Sequence, residues 1–158
     1  MKNILFRTGL AAFAAAALLA SVPAAAEVTV WKDYTPSDQV IEMTLINVEP
    51  GMGDVYFDSL RTTWVKANDV AKSLGHIEDY GIYAVPYGPA DGFNLVLTIR
   101  MKNTSDIGPD KARYDQFMKA WGDANIASSN KTVRDVYNKI REIKGVYLLR
   151  PIDLPAPK

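Results

Sequence analysis

The chain has no cysteine and a single histidine, His76. Without cysteine there are no disulfides, no thiol catalysis, no thiolate metal sites and no iron–sulfur clusters. One histidine cannot furnish the three or four protein ligands that a zinc site needs, so neither a metal nor a cofactor is expected. An excess of one charge is also lacking. Lys and Arg number 18, as do Asp and Glu, so no basic footprint marks nucleic acid as a partner. No phosphate loop, dinucleotide fingerprint or nucleophile elbow occurs. There is no short-period repeat. After residue 26 no apolar run reaches the roughly 20 residues that cross a bilayer.

The first feature present is an export leader over residues 1–26. Lys2 and Arg7 form a positive start, and Leu10 to Ala20 is an almost unbroken apolar run. Ser21-Val22-Pro23-Ala24-Ala25-Ala26 places a helix breaker and small residues at a cleavage site after Ala26. The rival reading, a retained anchor, is opposed by the shortness of the run and by the small-residue motif. Lipoprotein anchoring has no cysteine to use. The mature chain is expected to be periplasmic or secreted, with no transmembrane anchor after cleavage. Lys2 and Arg7 leave with the leader, so 16 basic residues face 18 acidic ones. About 130 residues then bury a core without staples.

Residues 27–39 form an N-terminal arm containing Trp31, Tyr34 and Pro36. Residues 40–150 form one domain. Residues 151–158, with Pro151, Pro155 and Pro157, form an extended tail. A first strand is predicted over 40–48 from its β-branched residues and partial alternation. Ile41, Met43 and Leu45 point one way; Glu42 and Thr44, flanked by Val40 and Ile46, point the other. Asp54 is positioned to cap a helix whose apolar residues run from Tyr56 to Leu74, ended by Gly75. Residues 77–87 and 93–101 read as a hairpin over Gly88-Pro89-Ala90-Asp91-Gly92. Pro109 opens a second helix, residues 122–129 break the pattern, and 130–144 form a third helix ended by Gly145. Residues 145–150 are the last strand. The order β-α-β-β-α-α-β gives an α+β ferredoxin-like sandwich: a four-stranded antiparallel sheet with helices on one face.

The other face of that sheet needs an explanation. Leu95, Leu97, Ile99 and Met101 must meet the helices, which turns Asn94, Thr98 and Arg100 to the open side with Val96. Glu42 and Thr44 are read onto the same side, with Glu42 as the carboxylate partner of a buried Arg100. Such a mixed face suits a dimer interface or a ligand cavity, or it simply faces water. The ligand-binding candidates are therefore Glu42, Thr44, Asn94, Thr98, Arg100 and Tyr83. The tyrosines 80, 83 and 87 fit pocket lining and strand packing equally well. His76, just after Gly75, could serve as a general base or haem ligand, but a lone histidine there is more often a favourable charge at a helix C-terminus.

The strand 40–48, the turn Glu49-Pro50-Gly51-Met52-Gly53, the helix carrying Trp64, and Gly75-His76-Ile77 follow one another in a way that resembles the dimeric α/β-barrel superfamily. The hairpin 80–101 and the helix around Phe117 and Trp121 extend the likeness over most of residues 40–150. The nearest branches are the NIPSNAP-like and antibiotic-biosynthesis-monooxygenase-like proteins. The resemblance implies a homodimer packed sheet against sheet and a cavity for a small, partly apolar ligand. Haem-degrading members use an Asn on the first strand, a Trp on the third and a His on the second helix. This chain has Asn47 but neither of the others, so that activity is not carried over. Three functions remain open: an exported domain of unassigned activity that dimerises and binds a small ligand; a cofactor-independent monooxygenase-like enzyme using His76, Tyr80 and Arg100 on an aromatic or polyketide-like substrate; and an envelope adaptor working through Trp31 and the tail.

Overall fold

The computed structural model describes residues 28–89 and 92–156. The leader over 1–26 with its cleavage site, Ala90 and Asp91 of the predicted turn, and Pro157 of the tail lie outside the described residues.

The strands are β1 (Thr35–Pro36), β2 (Val40–Val48), β3 (Asp79–Ala84), β4 (Leu95–Met101), β5 (Arg141–Leu149) and β6 (Ile152–Asp153). The main sheet has the order β3-β4-β2-β5, and all its neighbours are antiparallel. The first and third long strands are thus central, as the ferredoxin-like sandwich requires. β1 and β6 pair with each other instead, and Ser37 N donates to Pro151 O at 2.9 Å. Arm and tail are therefore tied together beside the domain.

The first helical segment begins at α1 (Gly53–Leu60), passes through a π-turn at Arg61–Val65 and continues as α2 (Lys66–Ser73). Asp54 is not the cap. Met52 holds that position without a side-chain bond, and Asp54 lies in the first turn, where its charge meets the positive end of the helix. Gly75, at φ 70°, terminates the segment as predicted. α3 (Lys111–Trp121) is capped by Asp110, whose carboxylate accepts from Arg113 N at 3.0 Å. Pro109 therefore precedes the cap rather than opening the helix.

Residues 122–129 correct the prediction more sharply. Gly122 breaks the chain at φ 79°, but α4 (Asp123–Thr132) starts at once. It leads through a π-turn at Val133–Tyr137 to α5 (Asn138–Ile140). The segment is polar and largely exposed, so it carries no apolar period to read. β5 begins at Arg141, and Gly145 lies inside it rather than at a helix end. A Cβ on Gly145 would come within 2.7 Å of the Tyr147 ring, and one on Gly81 equally close to Tyr83. Both edge strands thus carry a tyrosine folded flat over a glycine two residues before it.

The core is Ile46, Val48, Tyr56, Leu60, Leu95, Leu97, Tyr137 and Ile140, with Trp64 and Val136 packed against it. Burying a side chain such as Ile46 or Leu60 contributes about 2 kcal/mol. Val40 ↔ Met101, Thr44 ↔ Leu97 and Ile46 ↔ Leu95 are cross-strand partners, and such partners share a face. Glu42, paired with Ile99, and Thr44 therefore lie on the helix side. Ile41, Met43 and Leu45 lie on the open side with Arg100, Thr98 and Val96. This reverses the expected placement of the first strand. Val40, Ile46 and Val48 occupy the same alternation as Glu42 and Thr44, and their burial fixes the register.

Candidate functional site

A cavity of about 540 Å³ lies at the end of the sheet where β2 leaves, α1 begins and the β3–β4 hairpin turns. Local sequence builds each wall. Glu49-Pro50-Gly51 makes a tight exit from β2, with Gly51 at φ 80° and Met52 N donating to Glu49 O at 3.0 Å. Pro86 and Pro89 stiffen the facing hairpin. Phe57 and Phe93 contribute rings, and Asn47, Glu49 and Asn94 are the polar residues.

Asn94 holds the two walls together. Its Nδ2 donates to Val48 O at 2.8 Å, its Oδ1 accepts from Val48 N at 2.9 Å, and its backbone N donates to Ile46 O at 3.0 Å. The side chain extends the β2–β4 ladder by one step, spending one amide donor and one acceptor site in doing so.

Behind the cavity stands a buried cluster that sequence reasoning missed. Tyr56 lines the cavity and accepts at Oη from an Arg141 guanidinium nitrogen at 3.0 Å. The same guanidinium lies over the Tyr137 ring, 4.1 Å from its centroid. Tyr137 Oη is 2.6 Å from Thr63 Oγ1. Thr63 spends its own proton on Ser59 O at 2.7 Å, so Tyr137 donates. Thr63 and Tyr137 belong one to each π-turn, and their bond joins the two helical segments. Burial pushes both phenols above the usual tyrosine range, and for Tyr56 the bond from Arg141 pulls back against it. No local pattern announces this cluster, because its members lie up to 85 residues apart.

The predicted site residues come together only in part. Thr98, Arg100 and Tyr83 lie on the open face, around a shallow hollow of about 160 Å³ that Ile41, Asp79, Tyr80 and Leu149 also line. Glu42 and Thr44 lie across the sheet, so Glu42 cannot be the partner of Arg100. Asn94 alone of the ligand-binding candidates reaches the large cavity. Tyr80 donates to Asp69 of α2 at 2.6 Å and meets Trp64 edge-on at 5.3 Å. The hydrogen bond to Asp69, helped by burial and by the charge of Asp79, drives its pKa up to about 12. His76 packs against α3: its Nε2 is 3.2 Å from Gln116 Oε1, and its carbonyl accepts from Arg113. It lines a third hollow, with Asp106 and Arg113. Tyr80 and Arg100 thus line one hollow, but His76 lines another, so the three do not share a pocket.

No group of three or more potential metal ligands occurs among the described residues. No helix among them is long and apolar enough to cross a membrane.

No protein-family model and no curated protein matches the chain. Solved structures do. A NIPSNAP family protein of unknown function from Agrobacterium tumefaciens is 14% identical, with 73% of this chain and 88% of that one covered, at a TM-score of 0.43. HapK from Hahella chejuensis is 12% identical, covering 75% and 96%, at 0.40. A dimeric protein of unknown function and ferredoxin-like fold from Bacteroides fragilis is 11% identical, covering 76% and 99%, at 0.39. Proteins of the kind that the sequence resembles thus stand among its structural neighbours. The ferredoxin-like fold of this chain is given by its own strand order.

Proposed function

We propose that the chain is an exported domain that binds a small, partly apolar molecule and pairs sheet to sheet with a second copy. The observation that carries the binding reading is the cavity between the β2 exit and the hairpin. Its 540 Å³ falls within the ~300–1,000 Å³ of small-molecule sites. Its walls combine two phenylalanines and several prolines with a few polar groups, the usual make-up of such sites. Native mass spectrometry of the purified chain tests it. A retained small mass is expected, and Val85→Trp, which fills the cavity, removes it. A wild-type chain that carries no adduct and binds nothing from a small-molecule library ends this reading.

Pairing is supported by the open face. Ile41, Met43, Leu45, Val96 and Leu149 adjoin one another there, between the flat-lying Tyr83 and Tyr147. Apolar faces of this extent are rarely left to water. Asp79, cross-strand from Arg100 and paired at Oδ1 with Lys72 Nζ at 2.8 Å, is the carboxylate that would share its charge with this guanidinium on burial. Export rests on the leader over residues 1–26. An intact mass of the envelope-fraction protein that begins at Glu27 is the expected result; a full-length mass in the cytoplasmic fraction overturns it.

A further inference from the structure

We infer that the cavity selects a partly apolar organic cation, with Glu49 as the counter-charge. The inference rests on the binding reading above and adds the ligand's charge class to it. Among the described residues that line the cavity, Glu49 is the one charged residue. Its backbone is spent on the turn: N donates to Ile140 O at 2.9 Å, and O accepts from Met52 N. Its carboxylate makes no hydrogen bond or ion pair among the described residues. The Asn94 amide, by contrast, is committed to Val48.

The rest of the lining favours the same sign. Tyr56, Phe57 and Phe93 line the same space. Aromatic faces attract cations and repel carboxylates. The nearby cation, Arg141, does not line the cavity. It is held behind Tyr56, bonded to that hydroxyl and stacked on Tyr137. The opposing influence is the positive end of α1 at Gly53, which would favour an anion. Asp54 in the first turn offsets it. A single carboxylate beside aromatic walls therefore sets the preference.

Calorimetric titration of the intact purified chain with three probes of one ring and differing charge tests this. The probes are tryptamine, indole-3-ethanol and indole-3-acetate. Tryptamine is expected to bind at least tenfold more tightly than the alcohol, and the acetate most weakly. Glu49→Gln should bring tryptamine down to the level of the alcohol and leave the alcohol unchanged, and Glu49→Asp should restore part of the preference. The tryptamine advantage should also shrink as salt is raised. Acetate binding as tightly as the amine, or a preference that survives Glu49→Gln, overturns the inference while leaving the cavity as a binding site. Failure of all three probes to bind the wild-type chain overturns the cavity reading, and this inference with it.

Discussion

Glu42 and Arg100 lie on opposite faces of one sheet, although they occupy adjacent strands and neighbouring rungs. Ile41 is the residue directly opposite Arg100, and Glu42 is opposite Ile99. A strand's side chains alternate with period two, so this one-residue offset separates the two charges completely. The open face is consequently more apolar on β2 than composition suggests.

That arrangement makes Leu45 a sensitive probe of pairing. It lies on the open face, opposite Val96 on one side and Gly145 on the other. Leu45→Glu should leave the secondary structure intact, because the helix-side core does not use this residue. It should convert a dimer to a monomer, read by sedimentation equilibrium. A wild-type chain that sediments as a monomer would defeat the pairing proposal directly.

Asn94 should matter to stability out of proportion to its exposure. Asn94→Ala removes two hydrogen bonds to Val48 and leaves that backbone pair unmatched at the end of the ladder. The expected cost is about 1–3 kcal/mol. Denaturant unfolding measures it. Faster exchange of the Val48 amide should accompany the loss, with the amides of Tyr147 and Leu149 unaffected.

Thr63 and Tyr137 should behave as a coupled pair. Thr63→Val strands a buried tyrosine hydroxyl and should cost roughly 1–3 kcal/mol. Tyr137→Phe removes the donor and should cost less. The double variant should be less destabilised than the sum of the two, since no hydroxyl is left without a partner. Strict additivity would mean that the bond does not join the two π-turns energetically.

Tyr80 fixes a pH dependence at the alkaline end. Its folded pKa, about 12, stands above the unfolded value of 10.0, chiefly because the neutral phenol donates to Asp69. A group raised in this way stabilises the fold fully below pH 10 and loses that contribution as pH rises towards 12. Absorbance at ~295 nm should therefore show Tyr80 titrating late, alongside the buried Tyr56 and Tyr137. Tyr80→Phe should reduce the amplitude of that late titration by one tyrosine and flatten the fall in stability over the same window.

Much of the fold was legible because its signals are local. The apolar alternation of Leu95, Leu97 and Met101 predicted both the strand and its helix-facing side. Gly75 ended a helix where a left-handed residue was needed. The strand Val40–Val48 was also recognisable, but its facing was not. Both of its alternations hold apolar residues, Ile41, Met43 and Leu45 in one and Val40, Ile46 and Val48 in the other. Only pairing with Leu95 and Leu97 chose between them. The helix over 123–132 escaped notice because an exposed polar helix carries no apolar stripe.

The candidate site divides in the same way. Sequence by itself determined that the chain has no cysteine, one histidine and no phosphate-loop or dinucleotide fingerprint, and that Pro- and Gly-rich turns follow the first strand and close the hairpin. Tertiary structure decided that these two turns face each other across a cavity, with Phe57, Phe93 and Glu49 on its walls. It also decided that Arg141 is held by Tyr56 and Tyr137 rather than by a carboxylate. The physical reason is range. Turn chemistry and periodicity act within a few residues, whereas cavities and buried polar networks join segments that only the packed sheet and helices bring into contact.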